Sequence, residues 1–248
     1  MFGFVEWTQE SKSRRGAWTG ERFIGGVRFL TLTLYREEKY RPLSQRRRCA
    51  AGAKLLRKAG VTRAVFPKDF PWLEVFEKQG VTPVADLPLR RELAASFAAF
   101  LLAERGVAPA NANVAVAADR LSGEVMRAVT DLCRRNRYVM LDLPQGSGEF
   151  CRELRRSYGV SVLQDPTAEQ LGRADVLLLF APRTGAQTPG QAALPLYEGA
   201  ERAFGWSAAA PGEALPAGCE TTQLLAALRE AGALRPECLE IRGVQFQA

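Results

Sequence analysis

The chain has 248 residues, 47% hydrophobic and 25% charged, which is enough for one large domain or two small ones with a real core. It contains no histidine, which excludes a Ser-His-Asp triad, a Cys-His pair and His-ligated zinc. The net charge of +7 suggests anionic partners such as phosphates or nucleic acid, but the basic residues are dispersed with no basic tail and read first as solvated helix faces, which lowers nucleic acid as a partner and keeps an anionic small molecule as a candidate.

No apolar run approaches the roughly 20 residues that span a bilayer, and Met1–Trp7 has no signal-peptide pattern. Cys49, Cys133, Cys151, Cys219 and Cys238 are scattered, odd in number and without a Cys-x-x-Cys pair. Free thiols in a reducing cytoplasm are the expected state, with no membrane partner.

In chain order, aromatic residues 2–7 read as a strand, followed by a polar loop holding Lys12, Arg14 and Arg15. Val27 to Tyr35 alternates Leu30, Leu32 and Leu34 against Thr31, Thr33 and Tyr35, a strand with one apolar face. A helix from Ser44 to Ala59 buries Cys49, Ala53 and Leu56, with Gly60 as its C-terminal cap. Its Arg46-Arg47-Arg48 triplet sits where the dipole disfavours cations, a candidate anion contact against a solvated face. Short strands at 63–66 and 81–84 flank a short helix at 72–79. One long helix is expected from Pro88 to Arg105, its stripe formed by Leu89, Leu93, Phe97, Phe100 and Leu101. It is the candidate joint between an N-terminal α/β lobe, 1–107, and a second lobe, 108–248.

From Asn113 to Pro182, four apolar runs alternate with amphipathic helices: 114–117, 139–142, 160–163 and 176–180. This pattern predicts one parallel sheet with crossover helices. Residues 183–190 and 208–218 read as loops, 194–197 as a short strand and 239–246 as a final strand. Thr221 is the expected cap of a helix that turns Leu224, Leu225 and Leu228 inward.

Residues 113–182 resemble the NAD(P)-binding Rossmann superfamily, in which a strand enters Gly-x-Gly-x-x-Gly and an acid ends the next strand. Here strand 114–117 enters Ala118-Asp119-Arg120-Leu121-Ser122-Gly123, and the acid is Asp142. Only the third glycine remains, as Gly123, whose role in the superfamily is close helix–strand packing. Arg120 stands where the superfamily bares its backbone to a pyrophosphate. The resemblance implies an α/β Rossmann-like lobe without an intact dinucleotide site, and no cofactor is assigned. Two-lobed dehydrogenases of the shikimate dehydrogenase kind share the order of a small lobe before a nucleotide lobe. Their catalytic Lys and Asp have no clear match beyond Lys68-Asp69.

The expected ligand-binding residues are Asp119, Arg120, Ser122 and Gly123, then Asp142, and Gly146, Ser147 and Gly148 of a Gly-rich turn. All lie at carboxyl ends of strands or at helix N-termini, where anions are favoured. Asp165 and Arg183 fall at the same edge. Plain turn and capping roles are the competing explanation, with Ser147 as a helix cap. Cys133 and Cys151 read as core, and Cys219 as the better candidate for a reactive thiol. Trp7, Trp18, Tyr35 and Tyr40 lie among Arg14, Arg15, Arg22 and Arg36, a pattern that packing explains as well as single-strand binding.

Three functions fit these residues: a degenerate Rossmann protein, non-catalytic or binding a phosphorylated or anionic small molecule; an NAD(P)-dependent oxidoreductase with an atypical phosphate loop; and a basic nucleic-acid or protein interaction module.

Overall fold

The structure, a computed structural model, describes residues 1–9, 16–36, 42–183, 191–200, 203–210 and 215–246. Lys12, Arg14, Arg15, Tyr40 and most of the expected 183–190 loop lie outside them, as does part of the 208–218 loop. The chain divides into two compact units: Met1–Asp86 with Ala210–Cys238, and Leu87–Ala209 with Leu239–Ala248. The boundary expected at residue 107 falls inside the second.

The first unit begins with β1 (Phe2–Thr8), β2 (Ala17–Ile24) and β3 (Val27–Tyr35). β2, which the polar residues 19–22 do not announce, is recruited by a two-glycine turn. Gly25 and Gly26 both have positive φ, 56° and 74°, the geometry that joins antiparallel strands tightly. β3 then runs parallel to β1, with Phe2 opposite Phe29 and Trp7 opposite Leu34. Next come α1 (Pro42–Lys58), β4 (Arg63–Val65), α2 (Leu73–Glu77) and β5 (Thr82–Pro83). The sheet order is β2-β3-β1-β4-β5.

α1 buries Cys49, Ala53 and Leu56 as their spacing predicts. Gly52 lies on the same stripe, where an added Cβ would stand 2.8 Å from the Leu32 Cδ2. Gly60 ends the helix with φ +79°. Two of the arginine triplet are engaged locally: Arg46 pairs with Glu74 at 3.7 Å and Arg48 lies over the Tyr35 ring at 5.2 Å. The N-terminal aromatics are packing groups too, with the Trp7 ring 5.2 Å from Phe70 and Arg22 over Phe4 at 5.6 Å.

The second unit opens with α3 (Leu87–Glu92) and α4 (Ala94–Glu104), where one long helix was expected. The break is at Leu93, whose φ of −86° and ψ of 5° leave the α-helical region. Leu89, Leu93 and Phe97 remain buried through the bend. α4 belongs to this unit because Phe97 packs edge-on against Phe204 and Trp206, with ring centroids 5.7 and 5.4 Å away.

The rest of the unit follows as β6 (Asn113–Ala117), α5 (Gly123–Arg135), β7 (Tyr138–Asp142), α6 (Ser147–Tyr158), β8 (Val162–Gln164), α7 (Ala168–Gly172), β9 (Val176–Leu179), β10 (Ala192–Pro195) and β11 (Phe204–Ala209). β10 through β6 to β8 form one sheet in the order β10-β9-β6-β7-β8, every neighbouring pair parallel. The four predicted runs are adjacent as expected, with β8 starting two residues later than its run; β6 and β9, inside the sheet, are buried on both faces and so apolar, whereas β8 is a half-exposed edge strand. Val114 and Val116 are fully buried, and α5 turns Val125, Ala128, Val129 and Leu132 inward. The opposite face carries Ala115, Ala117, Met140, Leu177 and Leu179 with Leu171 of α7. α7 starts in a capping box, Thr167 with Gln170.

The chain then returns to the first unit with α8 (Thr221–Glu230). Its N-cap is Glu220, not Thr221, and no side-chain cap bond forms. This segment docks on β4: the Phe66 amide donates to Gln223 Oε1 at 2.9 Å, and Arg63 makes a two-pronged ion pair with Glu230. Lys68 and Asp69 sit beside it, the Lys68 amide donating to the Gly218 carbonyl. Finally β12 (Glu240–Phe246) pairs antiparallel with β11 as a separate two-stranded ribbon in the second unit.

Candidate functional site

Numbered within the second unit, the sheet order is 3-2-1-4-5 in reverse. The connection after β6 leads to β7 on one side, and the chain later crosses back to place β9 on the other. Loops leaving β6 and β9 at their carboxyl ends therefore diverge, and the gap between them is where such sheets bind ligands. A cleft of about 540 Å³ lies there. Its lining comes from Ala118–Arg120, Ser122, Glu124 and Val125 after β6, and from Phe180–Pro182 after β9. Tyr197 and Glu198, beyond β10, and Arg91 of α3 complete it.

Of the sequence-predicted residues, Asp119, Arg120 and Ser122 line this cleft. Ser122 is the N-cap of α5, its Oγ accepting from the Val125 amide at 3.3 Å. Gly123 begins α5, and a Cβ added to it would meet nothing within 4 Å. The superfamily's packing role for this glycine therefore has no counterpart here, because no backbone or side chain approaches it. Asp119 and Arg120 are exposed and have no ion-pair partner among the described residues.

Asp142, Gly146, Ser147 and Gly148 follow β7, on the far side of β6 from β9, and are not among the cleft's lining residues. Gly146, with φ +88°, is the N-cap of α6, a position expected for Ser147. Ser147 is buried and its hydroxyl donates instead to Gln164 Oε1 at 3.1 Å, tying this turn to the end of β8. Glu149 already sits in the first turn of α6, where the helix dipole favours it. Asp165, after β8, adopts a left-handed φ of 49°, which aspartate tolerates.

Asp142 is engaged. Arg183, arriving from the loop after β9, reaches across the end of β6 and pairs with the Asp142 carboxylate at 3.1 Å. The same Nη2 donates to the Ala118 carbonyl at 3.3 Å. The Arg183 Nε is buried and has no hydrogen-bond partner among the described residues. A second arginine is tied down on the cleft wall: Arg91 donates to the Leu196 carbonyl at 2.7 Å and pairs with Glu124 at 2.9 Å. Arg91, Glu124, Phe180, Tyr197 and Glu198 went unread as site residues. Only the pairing of β10 with β9 brings residues 197 and 198 to this edge, and nothing local in the sequence signals it.

The residues present do not fit a dinucleotide held as the superfamily holds it. Arg120 carries a side chain where the pyrophosphate needs bare backbone, and the acid that would bind a ribose is paired with Arg183. Among the described residues, no group of three or more Cys, Asp and Glu is placed to hold a metal ion, and no helix is long and apolar enough to cross a membrane.

The thiols are buried except for that of Cys238. Burial pushes Cys49 up to about 12 and Cys133 to about 11, and also raises Cys151. Cys219, expected as the reactive thiol, is likewise 3% exposed, raised by burial, and donates to the Pro216 carbonyl at 3.3 Å. Residues 215–220 pack onto β4, so the apparent loop cysteine is an inert core group.

The parallel five-stranded sheet, its strand order and its switch-point cleft define the second unit as a Rossmann-type α/β fold. No protein-family model and no curated protein matches the sequence. Among solved structures, the chain is similar to L-tryptophan dehydrogenase from Nostoc punctiforme at 12% identity, over 62% of this chain and 45% of that one, with a TM-score of 0.31. It is similar to a dipicolinate synthase chain from Bacillus halodurans at 14% identity, over 55% and 50%, with a TM-score of 0.35. It is also similar to ornithine carbamoyltransferase from Pyrococcus furiosus at 15% identity, over 74% and 59%, with a TM-score of 0.27. The chain thus spans about half the length of the first two.

Proposed function

We propose that the second unit binds a small molecule bearing a carboxylate or phosphate group in the switch-point cleft, with Arg120 as its anchor, and that it does so without a dinucleotide. The observation that carries this reading is Arg120 itself. It is a guanidinium without an ion-pair partner among the described residues, at the carboxyl end of the first strand of a Rossmann-type sheet, lining a cleft large enough for a metabolite. A planar fork of donors suits carboxylate and phosphate alike. The neighbouring Arg91 is held by Glu124 and the Leu196 carbonyl, so it shapes the wall and does not compete for the ligand.

Isothermal titration tests the reading. Inorganic phosphate and simple carboxylates should bind to the wild type and lose most of their affinity in Arg120→Ala. NAD and NADP should bind no tighter than about 10 μM, near −7 kcal/mol. Tight dinucleotide binding, or phosphate affinity unchanged in the variant, defeats the proposal.

A further inference from the structure

The charges around the cleft do not balance for a simple anion. Among the described residues, its lining holds two arginines, Arg91 and Arg120, against three carboxylates, Asp119, Glu124 and Glu198. Arg91 and Glu124 cancel as an ion pair at 2.9 Å. What remains is one unpaired cation, Arg120, and two unpaired carboxylates, Asp119 and Glu198, none with a partner among the described residues. The N-terminus of α5 does not restore a positive balance, because Glu124 occupies its first turn and Ser122 caps it. An anion seated on Arg120 alone therefore sits among like charges. A ligand that also carries a cation turns the two carboxylates from opposition into attraction.

We infer, building on the anion-binding reading above, that the ligand is zwitterionic: an amino acid or a similar compound whose carboxylate meets Arg120 and whose protonated amine meets Asp119 and Glu198. The remaining walls say what the rest of the molecule is like. Phe180, Pro182 and Tyr197 are apolar or aromatic, with both rings half-buried and Pro182 exposed, so they accept an apolar side chain. The two carboxylates come from different strand ends, Asp119 after β6 and Glu198 after β10. The amine subsite thus exists only because β9 and β10 fold back beside β6.

The test uses the full chain and a matched trio: phenylalanine, 3-phenylpropionate, which lacks the amine, and 2-phenylethylamine, which lacks the carboxylate. Leucine and glycine are run beside them, with inorganic phosphate as the bare anion. Titration should find phenylalanine or leucine at least tenfold tighter than either truncated compound. The double variant Asp119→Asn/Glu198→Gln should erase the advantage of phenylalanine over 3-phenylpropionate, while Arg120→Ala weakens both. These side chains are exposed, and unchanged urea midpoints will show that the variants fold. If 3-phenylpropionate or phosphate binds through Arg120 while no amino acid binds more tightly, the zwitterion inference is overturned and the anion reading stands. Equal binding of 2-phenylethylamine and phenylalanine also overturns it. If no anion binds in an Arg120-dependent way, the anion reading itself falls.

Discussion

Arg183 and Asp142 offer a sharp test of how the acid at the end of β7 is held. The two side chains are 26% and 22% exposed and 3.1 Å apart. At an effective dielectric of about 20 their attraction is about 5 kcal/mol, most of it offset by the water both groups give up. A net coupling of about 1.5 kcal/mol is expected, above the 0.2–1 kcal/mol typical of exposed pairs. The two single substitutions should not cost the same. Arg183→Ala loses the pair and the bond to the Ala118 carbonyl, but it also removes a buried Nε–H that has no partner among the described residues, so its cost should be about 1 kcal/mol. Asp142→Ala leaves the guanidinium in place without its counter-charge and should cost about 2 kcal/mol. Urea unfolding of wild type, both single variants and the double variant closes the cycle. A coupling below about 0.5 kcal/mol, or a greater cost for Arg183→Ala than for Asp142→Ala, would refute the view that Asp142 is held by Arg183.

Gly52→Ala should destabilise the first unit by about 1 kcal/mol. The gain of about 1 kcal/mol in helix propensity is outweighed by contacts of 2.8 and 3.0 Å with Leu32 and Leu34, and a raised urea midpoint would contradict this. Gly123→Ala should stabilise by about 0.5 kcal/mol, because nothing lies within 4 Å and φ is not in the left-handed region; a loss measured in the same way would mean the glycine packs closely after all. At pH 8, iodoacetamide should label Cys238 alone in the native protein and all five thiols in urea, read by mass spectrometry. The buried thiols keep their protons to well above the ordinary range. Once the unfolded chain begins to ionise them, near pH 8.5, the unfolded state binds fewer protons and native stability should fall as pH rises further.

Local signals determined much of this protein. The apolar runs at 114–117, 139–141 and 176–180 read as strands buried on both faces, and hence as parallel neighbours. The Thr167–Gln170 capping box and the Gly60 helix end were equally legible, because each depends on residues within a turn of one another. The departure of Arg120 from the glycine fingerprint needed no coordinates. Contacts between distant residues were decided by the tertiary structure. The Gly25-Gly26 turn brought β2 onto the first sheet, and Cys219 became a buried thiol when residues 215–220 packed against the end of β4. β12 found its partner in β11 and not in the parallel sheet. The cleft belongs to this second group. Arg183 lies 41 residues from Asp142 in the chain, and Arg91 stands opposite Glu124. Glu198 reaches the carboxyl edge only through the parallel pairing of β10 with β9. No periodicity or motif encodes those meetings, since they arise where the direction of strand addition reverses, and that reversal is a property of the sheet as a whole.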